Sequence, residues 1–447
     1  MLEISISDES NRYELTELAK MFVPAEELDL FAQSPEAFCV PDAASADRNA
    51  QKRALYRFLS EKTGRELDWG ILTGVRPLKL FYAAVRRTGS PGAAERLMSS
   101  EYLLSRGKAE LLRNTWETQQ ALKVSADSRA TGLYIGIPFC PTRCLYCSFT
   151  SNKYSADKAD AYLKALRKEI DAVAVMMEEK GLFAESVYIG GGTPTSLSEA
   201  QFEELVCTVS DAFIRPETAE FTAECGRPDT ITAGKLKALK NAGADRISIN
   251  PQSMQQKTLD RIGRQHTPEE IIEAFGLARR SGIGQINMDL IAGLPGEDRE
   301  DFRDTLDMIC ALGPENVTVH TLAVKKGSRL IEQDKDYSYR QGDAVKEMVE
   351  DAAAILGGRG YAPYYLYRQK HMAGNLENVG YCLPGTASVY NVRIMQEDQT
   401  ILALGAGGVS KLYYPAEDRI ERVANVSNYE IYIDRIDEMI KRKEAAL

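Results

Sequence analysis

From Leu133 onward, short apolar runs alternate with longer amphipathic segments. The segment from Asp157 to Lys180 is one of the amphipathic segments: its apolar residues recur at helical spacing, and Gly181 follows as a stop signal. This alternation predicts an α/β domain in which crossover helices cover parallel strands. The strand candidates are Leu133 to Ile137, Val187 to Ile189, Glu220 to Glu224, Arg246 to Ile249, Ile286 to Ile291 and Val317 to Leu322. These units are fewer than the eight that close a complete barrel.

The regions on either side of this alternation have different patterns. Near the N-terminus Leu2, Ile4 and Ile6 alternate with polar residues, which predicts a short strand. Helices are expected at Gln51 to Lys62, Pro77 to Arg87, about Leu103 to Lys123 and about Ala344 to Leu356. We predict three parts: an N-terminal α+β module of unknown role at 1–125, a barrel at 126–335 and a small C-terminal α+β domain at 336–447.

An aromatic and basic stretch follows the last of these helices. Tyr364, Tyr365 and Tyr367 are interleaved with Arg368 and Lys370. Aromatic rings could stack on a flat macrocycle while the cations pair with its carboxylates. The same residues would equally suit an edge strand with one solvent-exposed face. The sequence leaves both interpretations open.

Composition and charge narrow the class of protein. The 447 residues include 55 Lys and Arg against 65 Asp and Glu, and a formal net charge of −10 argues against broad attraction to nucleic acid or anionic membranes. The N-terminus has no basic segment followed by an apolar one, and no apolar run reaches the roughly 18 residues of a membrane span. We therefore expect a cytoplasmic protein without membrane insertion. Its thiols should be reduced, and we expect these cysteines to be buried small hydrophobic residues: Cys39, Cys207, Cys225, Cys310 and Cys382.

Three further cysteines stand out by their spacing. Cys140, Cys144 and Cys147 follow the first barrel strand in a C-x3-C-x2-C arrangement. Three thiolates can ligate three irons of a [4Fe-4S] cluster and leave the fourth iron open to a ligand. A structural zinc site needs a second pair of ligands, and the next cysteine, Cys207, stands alone. We predict an iron-sulfur cluster, with zinc or three clustered thiols as the alternatives.

Other notable residues fall where predicted strands end. Gly190, Gly191 and Gly192 close the second strand, and glycine lets backbone groups approach a ligand closely. No Gly-Lys-Ser/Thr follows, so we do not expect a nucleotide P-loop. Glu224 ends the third strand, where a ligand contact and a solvent-facing carboxylate are both compatible with the sequence. Asp289 lies inside the apolar fifth strand, where a charge is costly unless it is paired.

Two segments give the chain a family resemblance. The segment Leu133 to Asn152, LYIGIPFCPTRCLYCSFTSN, resembles the radical S-adenosylmethionine (radical SAM) superfamily and, within it, the oxygen-independent coproporphyrinogen III dehydrogenase group. The segment Tyr364 to Cys382, YYLYRQKHMAGNLENVGYC, is similar to the HemZ branch of that group. The resemblance implies an open (β/α)6 partial TIM barrel, a [4Fe-4S] cluster, and SAM that one electron splits to give a 5′-deoxyadenosyl radical. It also implies a one-electron reductant such as flavodoxin or ferredoxin.

The resemblance also assigns roles to individual residues. Cys140, Cys144 and Cys147 would hold the cluster. The residues expected to bind SAM are Tyr134, Tyr146, Gly191, Gly192, Thr193, Glu224, Gln252, Arg264, Asp289 and Ala323. Within this set, the Gly190–Pro194 run and Arg264 are assigned to the methionine end, Gln252 and Asp289 to the ribose, and Tyr146 and Ala323 to the adenine. A tetrapyrrole substrate would pair its carboxylates with a basic set at the barrel mouth: Lys325, Lys326, Arg329, Arg368 and Lys370.

The family activity is the oxidative decarboxylation of coproporphyrinogen III propionates to vinyl groups in haem biosynthesis, and this is the predicted reaction. Two positions depart from the family pattern: Gly136 stands where the family usually has His, and Phe149 where it has a fourth cysteine. Because of these departures, the resemblance does not determine how the electron left over from the decarboxylation leaves the protein. It also does not determine whether a second SAM molecule binds. The alternatives are a haem-binding chaperone of the HemW kind, whose H-N-x-x-Y-W motif this chain lacks, and a radical SAM haem-opening methyltransferase.

Overall fold

The N-terminal residues fold partly around a hydrophobic core of their own. The structure is a computed structural model that describes residues 1–148, 151–325, 327–334, 337, 341–369 and 373–447, without the side chains of 333 and 373. The predicted first strand is β1, Leu2–Ser5, and it pairs in parallel with β2, Leu28–Asp29, and β3, Phe38–Cys39. Buried apolar residues between Ile4 and Ile71 form this separate core.

The helices of this region include two that the sequence did not predict. They are α1, Arg12–Lys20; α2, Arg48–Thr63; α3, Pro77–Thr88; α4, Pro91–Glu101; and α5, Arg106–Gln120. The predicted helices correspond to α2, α3 and α5. Apolar side chains of α3, α4 and α5, such as Phe81, Met98 and Leu112, belong to the main core of the protein. The last three helices of the module therefore pack onto the barrel.

The barrel follows the predicted order of strands. Its parallel strands are β4, Ala130–Ile137; β7, Phe183–Gly191; β8, Glu220–Gly226; β9, Arg246–Gln252; β10, Gln285–Ala292; and β11, Asn316–Thr321. Each is hydrogen-bonded in parallel to the next. The short strands β5, Phe139–Cys140, and β6, Asn152–Lys153, flank the cysteine loop, which we define as residues 140–148. Each predicted barrel strand is confirmed to within three residues, except for β7, which begins four residues earlier.

At least one helix follows each barrel strand. They are α6, Ala156–Glu179; α7, Glu199–Phe213; α8, Ala233–Asn241; α9, Gln256–Ile262; α10, Pro268–Arg280; α11, Arg299–Leu312; and α12, Arg329–Gln333. Three of them begin with a capping box, in which Ser198, Thr267 or Asp298 accepts a hydrogen bond from the backbone three residues on. In the part of the chain that the structure describes, no helix is both long and apolar enough to cross a membrane.

The C-terminal residues extend the barrel sheet at both edges. Their elements are α13, Gly342–Gly358; β12, Ala362–Tyr367; β13, Asn378–Cys382; α14, Val389–Gln396; β14, Ile401–Leu404; β15, Val409–Tyr414; β16, Arg419–Ala424; α15, Tyr429–Asp434; and α16, Ile436–Glu444. Among the described residues the sheet order is β12-β13-β11-β10-β9-β8-β7-β4-β14-β15-β16. At one edge, β13 is antiparallel to β11 and β12 is antiparallel to β13. At the other edge, β14 is parallel to β4. The barrel is therefore open, and its two edges are finished by C-terminal strands.

The tyrosine stretch forms the edge strand β12, but two of its tyrosines do not face solvent. Tyr364 and Tyr365 are buried, and Gln119 of α5 donates a hydrogen bond from Nε2 to the Tyr364 carbonyl at 2.7 Å. Because α5 covers this edge, the expectation of a solvent-exposed face was wrong for Tyr364 and Tyr365. The N-terminal module thus covers an unpaired strand edge that would otherwise be open to other chains.

The C-terminal helix is attached to the barrel by a buried ion pair. Lys443 of α16 lies 2.6 Å from Glu169 of α6, and the two side chains are 1% and 0% exposed. Glu169 also accepts hydrogen bonds from the Gly405 backbone and from the Asn425 amide, both at 2.8 Å. Paired and hydrogen-bonded in this way, the two charges are compatible with burial.

Candidate cofactor site

The three motif cysteines lie together at the C-terminal end of β4. Cys140 ends β5, Cys144 is buried in the loop, and the Cys147 backbone N–H donates to the Cys144 carbonyl at 3.3 Å. Burial raises the pKa of the Cys140 thiol. Elsewhere the expectation of buried cysteines is confirmed for Cys225 and Cys382 but wrong for Cys39 and Cys207, which are exposed on a short edge strand and an outer helix.

Backbone hydrogen bonds join the cysteine loop to the segments that follow β9 and β11. The Leu145 N–H donates to the Ile262 carbonyl at 2.9 Å, and the Leu330 N–H donates to the Leu145 carbonyl at 3.1 Å. The Arg329 Nη2 donates to the Arg143 carbonyl at 2.8 Å. Arg329 therefore contacts the cysteine loop, whereas its expected contact with substrate stays a prediction.

The glycine run at the end of β7 packs against the cysteine loop without side chains. A Cβ on Gly192 would lie 2.5 Å from the Phe139 carbonyl oxygen and 2.9 Å from the Cys140 Sγ. Gly191 has φ of +118°, which favours glycine, and a Cβ there would meet the Ile137 backbone at 2.7 Å. Thr193 donates from Oγ1 to the Cys140 Sγ at 3.6 Å. The glycines therefore let β7 pack closely on the chain that leads into the cysteine loop, and their approach to a ligand stays a prediction.

Glu224 points into the barrel beside this glycine run. It accepts hydrogen bonds from the Tyr188 hydroxyl at 2.8 Å and from the Gly191 N–H at 3.2 Å. Burial raises the pKa of Glu224 to about 7, although the hydrogen bond from Tyr188 opposes that shift. Tyr134 and Tyr188 stack with ring centroids 6.2 Å apart, and Tyr390 of α14 stacks on Tyr188 at 4.6 Å. A carboxylate and an aromatic surface therefore share the barrel interior.

Gln252 and Arg264 retain unused hydrogen-bonding atoms in buried positions. Gln252 ends β9 with φ of +70°, and its buried Oε1 has no partner among the described residues. Arg264 donates from Nη1 to the Asn250 carbonyl and from Nη2 to the Tyr146 hydroxyl at 3.3 Å, while its buried Nε has no partner in the described part of the chain. Burial raises the pKa of Tyr146. Strained backbone and unpaired buried polar atoms are typical of ligand sites.

Asp289 is paired, as its position inside an apolar strand requires. Its Oδ1 accepts a hydrogen bond from the Asn287 amide at 2.7 Å, and its Oδ2 lies 3.6 Å from the His320 Nε2. On the other side of the imidazole, Nδ1 lies 3.5 Å from the Tyr367 hydroxyl. Ala323 follows β11 by two residues and is half-buried. His320 was missed by sequence reasoning because a single histidine in a strand gives no periodic or motif signal.

The predicted basic set is not confirmed as a group. Arg368 is 5% exposed, donates to the Leu72 carbonyl at 2.6 Å and the Asn375 carbonyl at 2.9 Å, and lies over the Trp69 ring. These contacts hold it against the N-terminal residues, and its assignment to substrate stays a prediction. Lys325 is half-buried, and burial lowers its pKa. Lys326 and Lys370 lie outside the described residues.

The donor set fits a cluster that leaves one iron open. Within the described residues, no three His, Cys, Asp or Glu side chains are arranged around a single metal ion. A [4Fe-4S] cluster distributes its thiolate ligands over different irons, so this finding does not oppose the three-cysteine assignment. The closely approaching Gly191 and Gly192, with the unpartnered Gln252 and Arg264 atoms, fit a polar ligand beside the thiols.

Comparison with known proteins identifies the relatives of this chain. Residues 134–309 match the family model of the radical SAM superfamily. Over 409 residues the chain is 40% identical to the oxygen-independent coproporphyrinogen-III oxidase-like protein HemZ of Bacillus subtilis, a match that covers 89% of this chain and 81% of that protein.

Two further relatives differ in the function that their names state. The heme chaperone HemW of Bacillus subtilis is 35% identical over 194 residues, and the match spans 43% of this chain and 50% of the chaperone. Among solved structures, coproporphyrinogen III oxidase (HemN) from Escherichia coli has a TM-score of 0.57 and 23% identity, covering 72% of each chain. At this identity the likeness establishes the fold, and it agrees with the partial barrel described above.

Proposed function

The chain belongs to the HemZ family within the radical SAM superfamily, whose cofactors are a [4Fe-4S] cluster and SAM, and from that premise we propose that it is an enzyme acting on a propionate-bearing tetrapyrrole. The first candidate reaction is oxidative decarboxylation of coproporphyrinogen III propionates to vinyl groups. The supporting relative is itself named only as oxidase-like. The proposal therefore depends on the site as well as on the resemblance.

The observation that carries the enzyme proposal is the set of unused polar atoms next to the cysteine loop. Gln252 Oε1 and Arg264 Nε are buried without a partner in the described part of the chain, and Glu224, near the end of β8, accepts a hydrogen bond from the Gly191 N–H. These groups suit SAM, whose amino, carboxylate and ribose groups need several polar contacts.

Each residue has a distinct role in this proposal. When bound, the cluster and SAM supply one-electron cleavage of a sulfonium and abstraction of a hydrogen atom. Arg264 would pair with the methionine carboxylate, and Glu224 would accept a hydrogen bond from the ammonium or ribose. Asp289 is held in one orientation by Asn287 and His320, so it can accept from a ribose hydroxyl without rearrangement.

Substrate recognition has to overcome the charge of the protein. A tetracarboxylate is repelled by a net charge of −10, so cations must be concentrated at the barrel mouth. Among the described residues, Lys325 and Arg329 follow β11 and are the candidates; Lys326 and Lys370 remain predictions. The stacked rings of Tyr134, Tyr188 and Tyr390 give the barrel interior an aromatic surface for the pyrrole rings of a tetrapyrrole.

A haem-binding chaperone is the second candidate, because a HemW protein is among the relatives. Anaerobic incubation of the reconstituted protein with SAM, a one-electron reductant such as flavodoxin or ferredoxin, and coproporphyrinogen III distinguishes the candidates. We expect 5′-deoxyadenosine and products that have lost one or two carboxyl groups, with the remaining electron passed to a one-electron acceptor that the assay must include. Haem binding without SAM consumption would favour the chaperone function over the enzyme function. Formation of S-adenosylhomocysteine in the presence of haem would indicate the methyltransferase function.

A further inference from the structure

A buried arginine contacts the cysteine loop from behind. Arg227 follows β8 directly, its side chain is 3% exposed, and its Nη1 donates to the hydroxyl of Thr142, which lies between Cys140 and Cys144. The opposite edge of the guanidinium, Nε and Nη2, donates to the two carboxylate oxygens of Asp229 at 3.0 and 2.9 Å. The guanidinium therefore stands between the loop and a carboxylate.

The groups behind this pair keep its charges in place. The fully buried His266 has its Nδ1 3.7 Å from Asp229, and burial lowers the pKa of that imidazole, which favours its neutral form. Burial alone would raise the pKa of Asp229, but His266 and Arg227 hold it well below its usual range. The arrangement is a fixed dipole whose positive end faces the cysteine loop and whose negative end faces away. No sequence motif indicates this arrangement, because only the spacing of Arg227 and Asp229 is visible along the chain.

A charge next to a redox centre changes the free energy of adding an electron. One electron from an external carrier protein makes a bound cluster more negative, so a nearby cation favours the reduced form and a nearby anion opposes it. Solvent screens a buried charge less than an exposed one. Because Arg227 is 3% exposed and Asp229 is 27% exposed, the arginine should have the larger effect.

We propose that the buried Arg227 and the partly exposed Asp229 form a charge pair that sets the reduction potential of a cluster held by Cys140, Cys144 and Cys147. Arg227 raises that potential through its contact with Thr142, and Asp229 opposes it. Arg227 is thus a positioning residue, since its hydrogen bond to the cysteine loop goes to the Thr142 hydroxyl. The pair determines which one-electron carriers can reduce the protein. This inference is independent of the tetrapyrrole reaction, because the potential is measured without substrate.

The test is an anaerobic redox titration, followed by electron paramagnetic resonance, of the full chain reconstituted with iron and sulfide. Arg227→Gln should shift the midpoint potential to more negative values, and Asp229→Asn should shift it to more positive values by a smaller amount. Arg227→Lys keeps the charge and should stay near wild type. A matched control is Arg129→Gln, because Arg129 pairs with Asp127 at the same sequence separation but on the opposite end of β4.

A purely structural role predicts a different result. Loss of packing would lower the iron content of the Arg227 and Asp229 variants without shifting their potentials in opposite directions. Unchanged potentials in both neutralised variants, or shifts of the same sign, would overturn the proposal. If Arg227→Gln does not retain iron, Asp229→Asn decides, because a wild-type potential in that variant excludes an electrostatic role for the pair.

Discussion

The raised pKa of Glu224 predicts that SAM binding depends on pH. Its carboxyl has a pKa of about 7 in the protein against 4.5 in water, because it is buried beside Tyr188. If the ionised carboxylate contacts the SAM ammonium or ribose, affinity is fully developed above about pH 8 and falls about tenfold for each pH unit below 7. Glu224→Gln removes the charge, so its affinity should be lower by roughly ten- to a hundredfold at pH 8 and independent of pH.

The raised pKa of Glu224 also predicts that the stability of the folded protein without SAM falls as the pH rises, whereas the affinity for SAM increases. A carboxyl with a raised pKa in the folded state contributes stability that is fully present below pH 4.5 and is lost as the pH rises through about 7. A difference of 2.5 between 4.5 and about 7 corresponds to about 3 kcal/mol that the folded state loses when Glu224 ionises. At pH 8, without SAM, Glu224→Gln should therefore unfold at a higher temperature than wild type.

The assay is equilibrium binding of SAM to the anaerobically reconstituted protein between pH 6 and pH 8.5, alongside thermal unfolding. Asp245→Asn is the control, because burial also raises the pKa of Asp245, to about 6, but this residue precedes β9 at the opposite end of the barrel. It should leave the pH dependence of SAM binding unchanged. A wild-type affinity that is constant across this range, or a Glu224→Gln variant that keeps the wild-type slope, would refute the reasoning.

Three further predictions concern the cluster, the SAM contacts and the C-terminal helix. Cys144→Ala should lose cluster iron and sulfide, whereas Cys225→Ala should retain both; the reverse would contradict the ligand assignment. Arg264→Ala and Asp289→Ala should keep their iron but bind SAM roughly ten- to a hundredfold more weakly, since each loses a charge-assisted contact of about 1.5 to 3 kcal/mol; wild-type affinity in both would count against these contacts. Lys443→Met leaves its carboxylate partner buried and unpaired, so urea unfolding should show a loss of about 3 to 5 kcal/mol, and an unchanged midpoint would show that the pair contributes little.

The barrel could be predicted from sequence because its strands are buried on both faces. Runs such as Leu133 to Ile137 therefore carry a strong apolar signal, and helix stop signals such as Gly181 separate the units. The pairing of β14 with β4 could not be predicted, since it joins Ile401 to Gly132 across most of the chain and no local pattern encodes that distance.

Candidate site residues could be predicted where they belong to a sequence motif. They could not be predicted where their placement depends on contacts between distant segments. Spacing singled out the cysteines and the glycine run as candidates. The resemblance singled out Gln252, whose positive φ and whose amide oxygen without a partner among the described residues only the structure reveals. The contact of Arg368 with the Leu72 carbonyl could not be predicted, because a basic residue next to tyrosines has the same sequence pattern whether it binds a ligand or a neighbouring carbonyl. His320 and Arg227 carry no motif, and their roles depend on strands that are distant in sequence.

The proposed decarboxylation requires abstraction of a hydrogen atom from a propionate side chain at this site. Its most direct test is anaerobic turnover of coproporphyrinogen III deuterated on its propionate side chains, with SAM and a one-electron reductant, followed by mass spectrometry of the nucleoside product. The account predicts deuterium in 5′-deoxyadenosine together with loss of carboxyl groups from the tetrapyrrole. Unlabelled 5′-deoxyadenosine with an intact tetrapyrrole, or haem binding with no SAM consumed, would contradict it.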